Sequence, residues 1–282
     1  MTDQDRRDGL VPALLKHWRR QRGLSQLDLA MAADVSARHI SFLETGRSTP
    51  SPEMVLLLGA TLGVPLHQIN TMLRAAGHDA VFDEADAELP PTVVGALSLM
   101  KQHHEPFPLV VIDRAYRVLD LNRAAVTILG AVLGFDPGTL DPSSLDPESV
   151  AALDLNLARL TFDPSGAQPH IVNFDEVGPE LLWRIQREVL ADPADGALRD
   201  LLDELTSMPT VESDWRQVDL SKPSDPVLSL HLRRADLDLR FLAMVTAFQA
   251  PQRVAVEQIR VETWFPLDDA TAAACHRLAT GS

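Results

Sequence analysis

Arg38, His39, Ser41 and Arg47 lie within ten residues of one another, and with Ser36, Ala37 and Gln26 they form a group of small, polar and basic side chains. Such side chains donate to and accept from base edges and phosphate oxygens, provided that one short helix presents them outward. The stretch Gly23–Ser51 is built to supply that helix. Ser36 is a good N-cap, Ile40 and Leu43 share an inward side, and Gly46 supplies a left-handed end. Ala37, Arg38 and Ser41 then point away from the core, and Arg47 follows in the loop within reach of a phosphate. An earlier helix opens at Ser25, buries Leu29, Ala30 and Ala33, and turns at Asp34-Val35. Two helices of this kind fit the entry of the second into a major groove, although any helical hairpin with a polar surface shares the outline.

Around this pair the spacing predicts three more helices. Val11, Leu14, Leu15 and Trp18 recur at helical intervals after a polar start at residues 1–9 that is expected to fray. Lys16, Arg19, Arg20 and Arg22 occupy the other side, and Arg19 and Arg22 suit either phosphate contacts or simple solvation. Ser51 and Pro52 open a fourth helix carrying Val55, Leu58 and Leu62, which Gly63-Val64-Pro65 breaks. A fifth runs from Leu66 to Ala76 and ends at Gly77. The net charge of -15 divides unevenly. Residues 1–78 hold nine Lys and Arg against seven Asp and Glu, and the remainder holds 16 against 33. An acidic body behind a mildly basic head weakens non-specific attachment to phosphate, and it also keeps a protein soluble.

The order Ser-Gln-x-x-Leu-Ala, Val-Ser, then Ile-Ser-x-x-Glu-x-Gly-Arg-x-x-Pro-Ser resembles the phage-repressor-like (Cro/C1, or XRE) helix-turn-helix family nearly position for position. The resemblance implies a lambda-repressor-like five-helix domain. In it Gln26 and Arg47 would grip the DNA backbone, and Ser36, Ala37, Arg38, His39 and Ser41 would read bases or line the groove. The ending Leu-Gly-Val-Pro-Leu … Asn70-Thr-Met-Leu-Arg-Ala-Ala-Gly77-His is similar to one branch of these regulators, which continues into an MmyB-like, PAS-like ligand-binding domain. The expected organisation is therefore a helix-turn-helix domain over 1–78, a linker and connecting helix over 79–103, and a PAS-like domain over 104–282. Asp83–Pro91 is acidic and ends in Pro-Pro, as a linker does, and Val93–Met100 suits the connecting helix.

From Pro106 the periodicity changes to that of an α+β domain. Leu109–Ile112 and Tyr116–Leu121 read as a strand pair turned at Asp113-Arg114, and Asn122 caps a helix after it. Residues 134–149 read as a loop, and helices are expected at Leu153–Phe162, about 177–190 and 196–206. Val227–Leu232, Leu237–Phe248 and Val254–Phe265 have strand composition, the last with a bulge near Glu257–Gln258 to reconcile its two phases. Together these give one five-stranded antiparallel sheet with helices on one side. Pro-Phe-Pro-Leu-Val-Val-Ile-Asp-Arg, Asn156–Pro164, Pro169–Glu176 and Arg260–Asp269 resemble blocks of the MmyB-like domain. Relatives of that kind hold a fatty-acid-like or other small apolar molecule, so the resemblance implies a ligand cavity. Asn122, Arg159, His170, Asn173 and Trp183 are the candidate lining residues. Asn122 suits a helix cap equally well, Trp183 a core position and Arg159 a surface ion pair.

Other chemistry finds little support. No phosphate-cradling glycine loop, nucleophile elbow or zinc spacing occurs, so no enzymatic activity and no cofactor are expected. His103-His104-Glu105 with His170 is the nearest approach to a metal site, and adjacent histidines leaving a helix are usually solvated. The single cysteine, Cys275, excludes an internal disulfide and suits a reducing, cytoplasmic setting, and no apolar run reaches membrane-spanning length. The expected partners are double-stranded operator DNA, a second copy of the chain and a small apolar effector. A controller or antitoxin whose acidic body holds a protein partner is the alternative.

Overall fold

The computed structural model describes residues 3–82, 89–134, 150, 152–192, 195–216, 227–248 and 253–280. Of the expected loop at 134–149 all but Gly134, and most of the acidic linker, lie outside them. The chain forms two compact units, one of Met1–Glu88 with Ala250–Glu257 and one of Leu89–Gln249 with Gln258–Ser282.

The first unit contains the five expected helices: α1 (Asp3–Gln21), α2 (Gln26–Ala32), α3 (Ala37–Glu44), α4 (Pro52–Leu62) and α5 (Leu66–Ala75). α1 is helical from Asp3, within the stretch expected to fray. Local chemistry sets the other boundaries. Ser25 and Asp28 form a reciprocal capping box at α2, and Ser36 and Ser51 accept from the backbone N–H groups of His39 and Met54. Leu15, Trp18, Leu29, Ile40, Leu43, Leu58 and Leu73 meet in one core. Asn70, fully buried, accepts from the N–H groups of Val81 and Phe82 and donates to the Phe82 carbonyl, so the chain past Gly77 is still fastened to α5.

In the second unit a single antiparallel sheet has the strand order β2-β1-β5-β4-β3. Its strands are β1 (Leu109–Ile112), β2 (Val118–Leu121), β3 (Val227–Arg234), β4 (Leu237–Ala247) and β5 (Arg260–Pro266). This is the expected PAS-like layout with two corrections. The run Val254–Phe265 is not one bulged strand. Val254–Glu257 forms a helical turn that belongs to the first unit, with Val254, Ala255 and Val256 all buried, and the strand begins at Arg260. Three consecutive buried side chains fit a turn of helix and not an alternating strand, which explains the two phases of the pattern. Helices also cover both faces of the sheet. α6 (Pro91–His104) packs Leu97 on Leu109, Val111, Ile259 and Val261. On the other face Val110 and Ile112 join α7 (Arg123–Leu133), α8 (Leu157–Phe162), α9 (Phe174–Ala191) and α10 (Gly196–Ser207). The short turn Val254–Glu257 is α11, and α12 (Asp269–Thr280), which the sequence pattern did not single out, closes the domain and buries Cys275. Burial pushes the Cys275 thiol up to about 11, so it packs as a neutral side chain.

Asn122 is the hinge pin between sheet and helix. Its Oδ1 accepts from the N–H groups of Leu109 and Ala125, and its Nδ2 donates to the Phe107 carbonyl. Asn122→Ala removes a cap worth about 1 kcal/mol and leaves buried backbone groups unpaired. A destabilisation of about 2–4 kcal/mol is expected in urea unfolding. A loss below that of an ordinary surface substitution contradicts the assignment.

Candidate nucleic-acid interface and apolar cavity

The head fixes α3 through one buried carboxylate. The Glu44 side chain is 2% exposed. It accepts from Arg19 on α1, with Nη2 to Oε2 at 2.9 Å, and from the Gln26 amide on α2 at 2.7 Å. Arg19 also donates to the Leu24 carbonyl at 2.7 Å. The expectation that Arg19 meets phosphate is thereby corrected, because its guanidinium is turned inward and bound at both ends. Arg22 has a second structural use. It donates to the carbonyls of Leu62 and Gly63 at 2.6 and 2.9 Å and so closes the C-terminus of α4, with its guanidinium over the Trp18 ring. Gln26 holds Glu44 with its side-chain amide while its backbone opens α2.

What α3 leaves outside is the group singled out by type and spacing. Ser36 and Arg38 are exposed, Ala37, His39 and Ser41 are half-buried, and Arg47 is exposed in the loop. One residue of this surface carried no sequence signal of its own. The half-buried Phe42 stands one helical turn after Arg38, and the guanidinium groups of Arg38 and Arg47 lie 5.2 and 5.9 Å from its ring centroid. The i, i+4 spacing of Arg38 and Phe42 is the feature that could have found it.

The second unit contains a partly open cavity of about 50 Å³. Its walls are mainly apolar, from Leu129, Val132 and Leu133 on α7, Leu157 on α8, Leu181 on α9, and Leu230, Ala243 and Trp264 on the sheet. Its polar groups are Tyr116, Thr161, Arg184 and Glu262. None of the five expected lining residues reaches it. Asn122 is the cap already described. Arg159 pairs with Glu204 at 2.8 Å on the surface. Asn173 ties α9 to β3 through the Ser229 carbonyl and the His231 N–H, and Trp183 donates to the Trp215 carbonyl. His170 lies in a 3-10 turn between the wall residues Ala167 and Ile171 and does not itself line the cavity.

Tyr116 does not open a strand but occupies the turn before β2, at φ 62°, where bulky residues seldom sit. Its carbonyl accepts from the Leu157 N–H, and the Asn156 side chain holds the carbonyl of Ala115, so the neighbours impose the conformation. The side chain is buried, and its hydroxyl has no hydrogen-bond partner among the described residues. Burial keeps the phenol neutral, raising it far above its ordinary value. Burial also raises the Glu262 carboxyl, opposed by a 2.7 Å hydrogen bond from the Trp264 indole and by the charge of Arg184. At the edge of this group Arg260 donates to both carboxylate oxygens of Glu188 at 2.8 and 2.9 Å. Among the described residues no three metal-ligating side chains gather, and His104 contacts the Trp264 carbonyl instead.

A helix-turn-helix head joined to a sheet domain with an apolar cavity is the build of a two-domain transcription regulator. Residues 93–278 match the family described as MmyB-like transcription regulator ligand binding domain, and residues 15–69 match the helix-turn-helix family. The chain belongs to the MmyB-like transcription regulators. It is also 40% identical over 55 residues to the HTH-type transcriptional regulator DdrOP3 of Deinococcus deserti, a match covering 20% of this chain and 43% of that protein. Less than half of that relative is therefore matched. Among the described residues no helix is long and apolar enough to cross a membrane.

Two outcomes follow from these sites. Burial alone would raise the Glu44 carboxyl, but the hydrogen bonds from Arg19 and Gln26 and the charges of Arg19 and Lys16 outweigh it and hold it below the ordinary 4.5. A lowered carboxylate stabilises the fold fully above its unfolded value and loses that contribution as the pH falls through the folded one. Glu44→Gln should therefore cost about 3–5 kcal/mol near neutrality, where Arg19 is left buried without its counter-charge. The gap from the unsubstituted protein should close as the pH drops below 4.5. Amide hydrogen exchange in α1–α3 across that range measures it, and a gap independent of pH refutes it. Tyr116→Phe removes an unpaired buried hydroxyl and should stabilise the unliganded protein by about 1 kcal/mol, as read by denaturant unfolding.

Proposed function

We propose that the chain is a sequence-specific DNA-binding regulator whose second unit responds to a small, largely apolar effector with one polar end. The observation that carries the first half is α3. Glu44 and the core fix its inner side, and Ser36, Arg38, Ser41 and Arg47 stand on its outer side, in the part of the chain that escapes the general acidity. Arg38 and His39 have most of the capacity for base readout, since Ala37 and Ser41 offer little, and Arg47 serves as a phosphate contact. Binding as a homodimer places two such helices in half-sites about one helical turn apart, about 34 Å.

For the second half, the support is the apolar cavity with Tyr116, Arg184 and Glu262 at its polar side. Its volume is well below the roughly 300–1,000 Å³ usual for drug-sized ligands. An effector with a long apolar portion, a fatty-acid-like molecule among them, requires the walls to part. Differential affinity for the open and closed arrangements is what a ligand needs to shift a conformational equilibrium. The smallness of the cavity also favours the second reading, in which the domain holds a protein partner.

A duplex selected by the protein from a random pool provides the test of DNA reading. Joint substitution of Arg38 and Ser41 by Ala should erode preference for the selected duplex over a scrambled one. Arg47→Ala should weaken both alike and lower the slope of log affinity against log salt by about 1. Equal losses on both duplexes for both variants reject the assignment. Mass spectrometry of the purified protein, native and then denatured, decides between effector and partner. Release of a small apolar molecule supports the first, and a stoichiometric second protein with no such molecule supports the other.

A further inference from the structure

We infer that Phe42 is a positioning residue for DNA reading, the shared aromatic platform that holds Arg38 and Arg47 in their working directions; this rests on the DNA-reading role proposed above. A phenylalanine on the outer part of a recognition-type helix needs a reason. Phe42 is not part of the core that its neighbours Ile40 and Leu43 enter. Instead its ring meets the guanidinium groups of Arg38, on its own helix, and of Arg47, in the following loop, at 5.2 and 5.9 Å. The loop is brought there by the backbone, since the Arg47 N–H donates to the Phe42 carbonyl at 2.9 Å beside the left-handed Gly46. A guanidinium over an aromatic face is attracted by the ring quadrupole and keeps its N–H groups free at the edge. Two long, flexible side chains are thus partly ordered before DNA arrives, and less of their conformational freedom remains to be lost on binding. Among the described residues the Arg38 guanidinium makes no hydrogen bond or ion pair that could perform this task instead.

The discriminating substitution is Phe42→Leu, which keeps apolar bulk and helix propensity but removes the aromatic face. With two cation–π contacts at exposed sites lost, affinity for the selected duplex should fall by about tenfold. Phe42→Tyr should restore it, and thermal unfolding of both variants should match that of the parent. In a background already carrying Arg38→Ala and Arg47→Ala, Phe42→Leu should have no further effect on DNA affinity. A tenfold loss that persists in that background, or the absence of rescue by Tyr, overturns the inference. NMR of the free protein separates its failure from failure of the DNA-reading proposal. The side-chain N–H resonances of Arg38 and Arg47 should carry ring-current shifts that Phe42→Leu abolishes. If those shifts vanish as expected while the parent selects no duplex, the platform exists and the DNA-reading role falls. If the parent selects a duplex and the shifts do not depend on Phe42, the platform falls alone.

Discussion

Glu44 is a carboxylate removed from water, and the geometry of the head depends on its staying ionised. A buried charge is tolerable only when donors surround it, and here the donors come from two other helices, Arg19 of α1 and Gln26 of α2. The cost of desolvation thus becomes a constraint on three helices at once. α3 cannot rotate about its axis without withdrawing Glu44 from Arg19, so Arg38 and Ser41, placed six and three residues before Glu44, keep a fixed direction outward. The basic residues of the head have correspondingly different roles. Arg19 and Arg22 are consumed in fixing helices, and Arg38 and Arg47 are left at the surface.

This difference marks the limit of what the sequence could yield. The five head helices, the caps at Ser25, Ser36 and Ser51, and the inward pair Ile40 and Leu43 follow from short-range rules that involve residues three or four apart. Whether an arginine faces water or a carboxylate depends on Glu44, 25 positions after Arg19, and no periodicity reports that. The place of Phe42 is hidden from short-range rules for a related reason. Its aromatic side chain suggests a core position, and only the folded loop brings the Arg47 guanidinium to its ring.

In the second unit most of the strands are legible because alternation and β-branched content mark them, and a single antiparallel sheet agrees with the PAS-like resemblance, whereas the order of the strands and the start of β5 at Arg260 depend on long-range pairing that no local pattern reports. The cavity was not legible. The polar residues that stood out in the sequence, Asn122, Arg159, Asn173 and Trp183, stand out because they make hydrogen bonds that fasten the fold. The cavity wall is instead a set of ordinary Leu and Val side chains from helices and strands far apart in the chain, and its polar side comes from Tyr116, Arg184 and Glu262. Tyr116 in particular reads as a strand residue, and its position in a turn at positive φ is imposed by the contacts of Ala115 and Tyr116 with Asn156 and Leu157.

The cavity also bears on how a regulator of this build can change state. A void of about 50 Å³ beside a buried phenol that has no hydrogen-bond partner among the described residues is an imperfectly satisfied core. The strands that contribute Ala243, Val245, Glu262 and Trp264 to the wall are β4 and β5. Between those two strands the chain supplies Ala250–Glu257 to the first unit, where Glu257 accepts from the Leu66 N–H at the start of α5 at 2.9 and 3.0 Å. That end of α5 follows Pro65 and has no side-chain cap from its own N-cap residue, so the distant carboxylate satisfies an otherwise orphaned donor and complements the helix dipole. Chain order therefore joins the cavity wall to the head at a second place besides the linker.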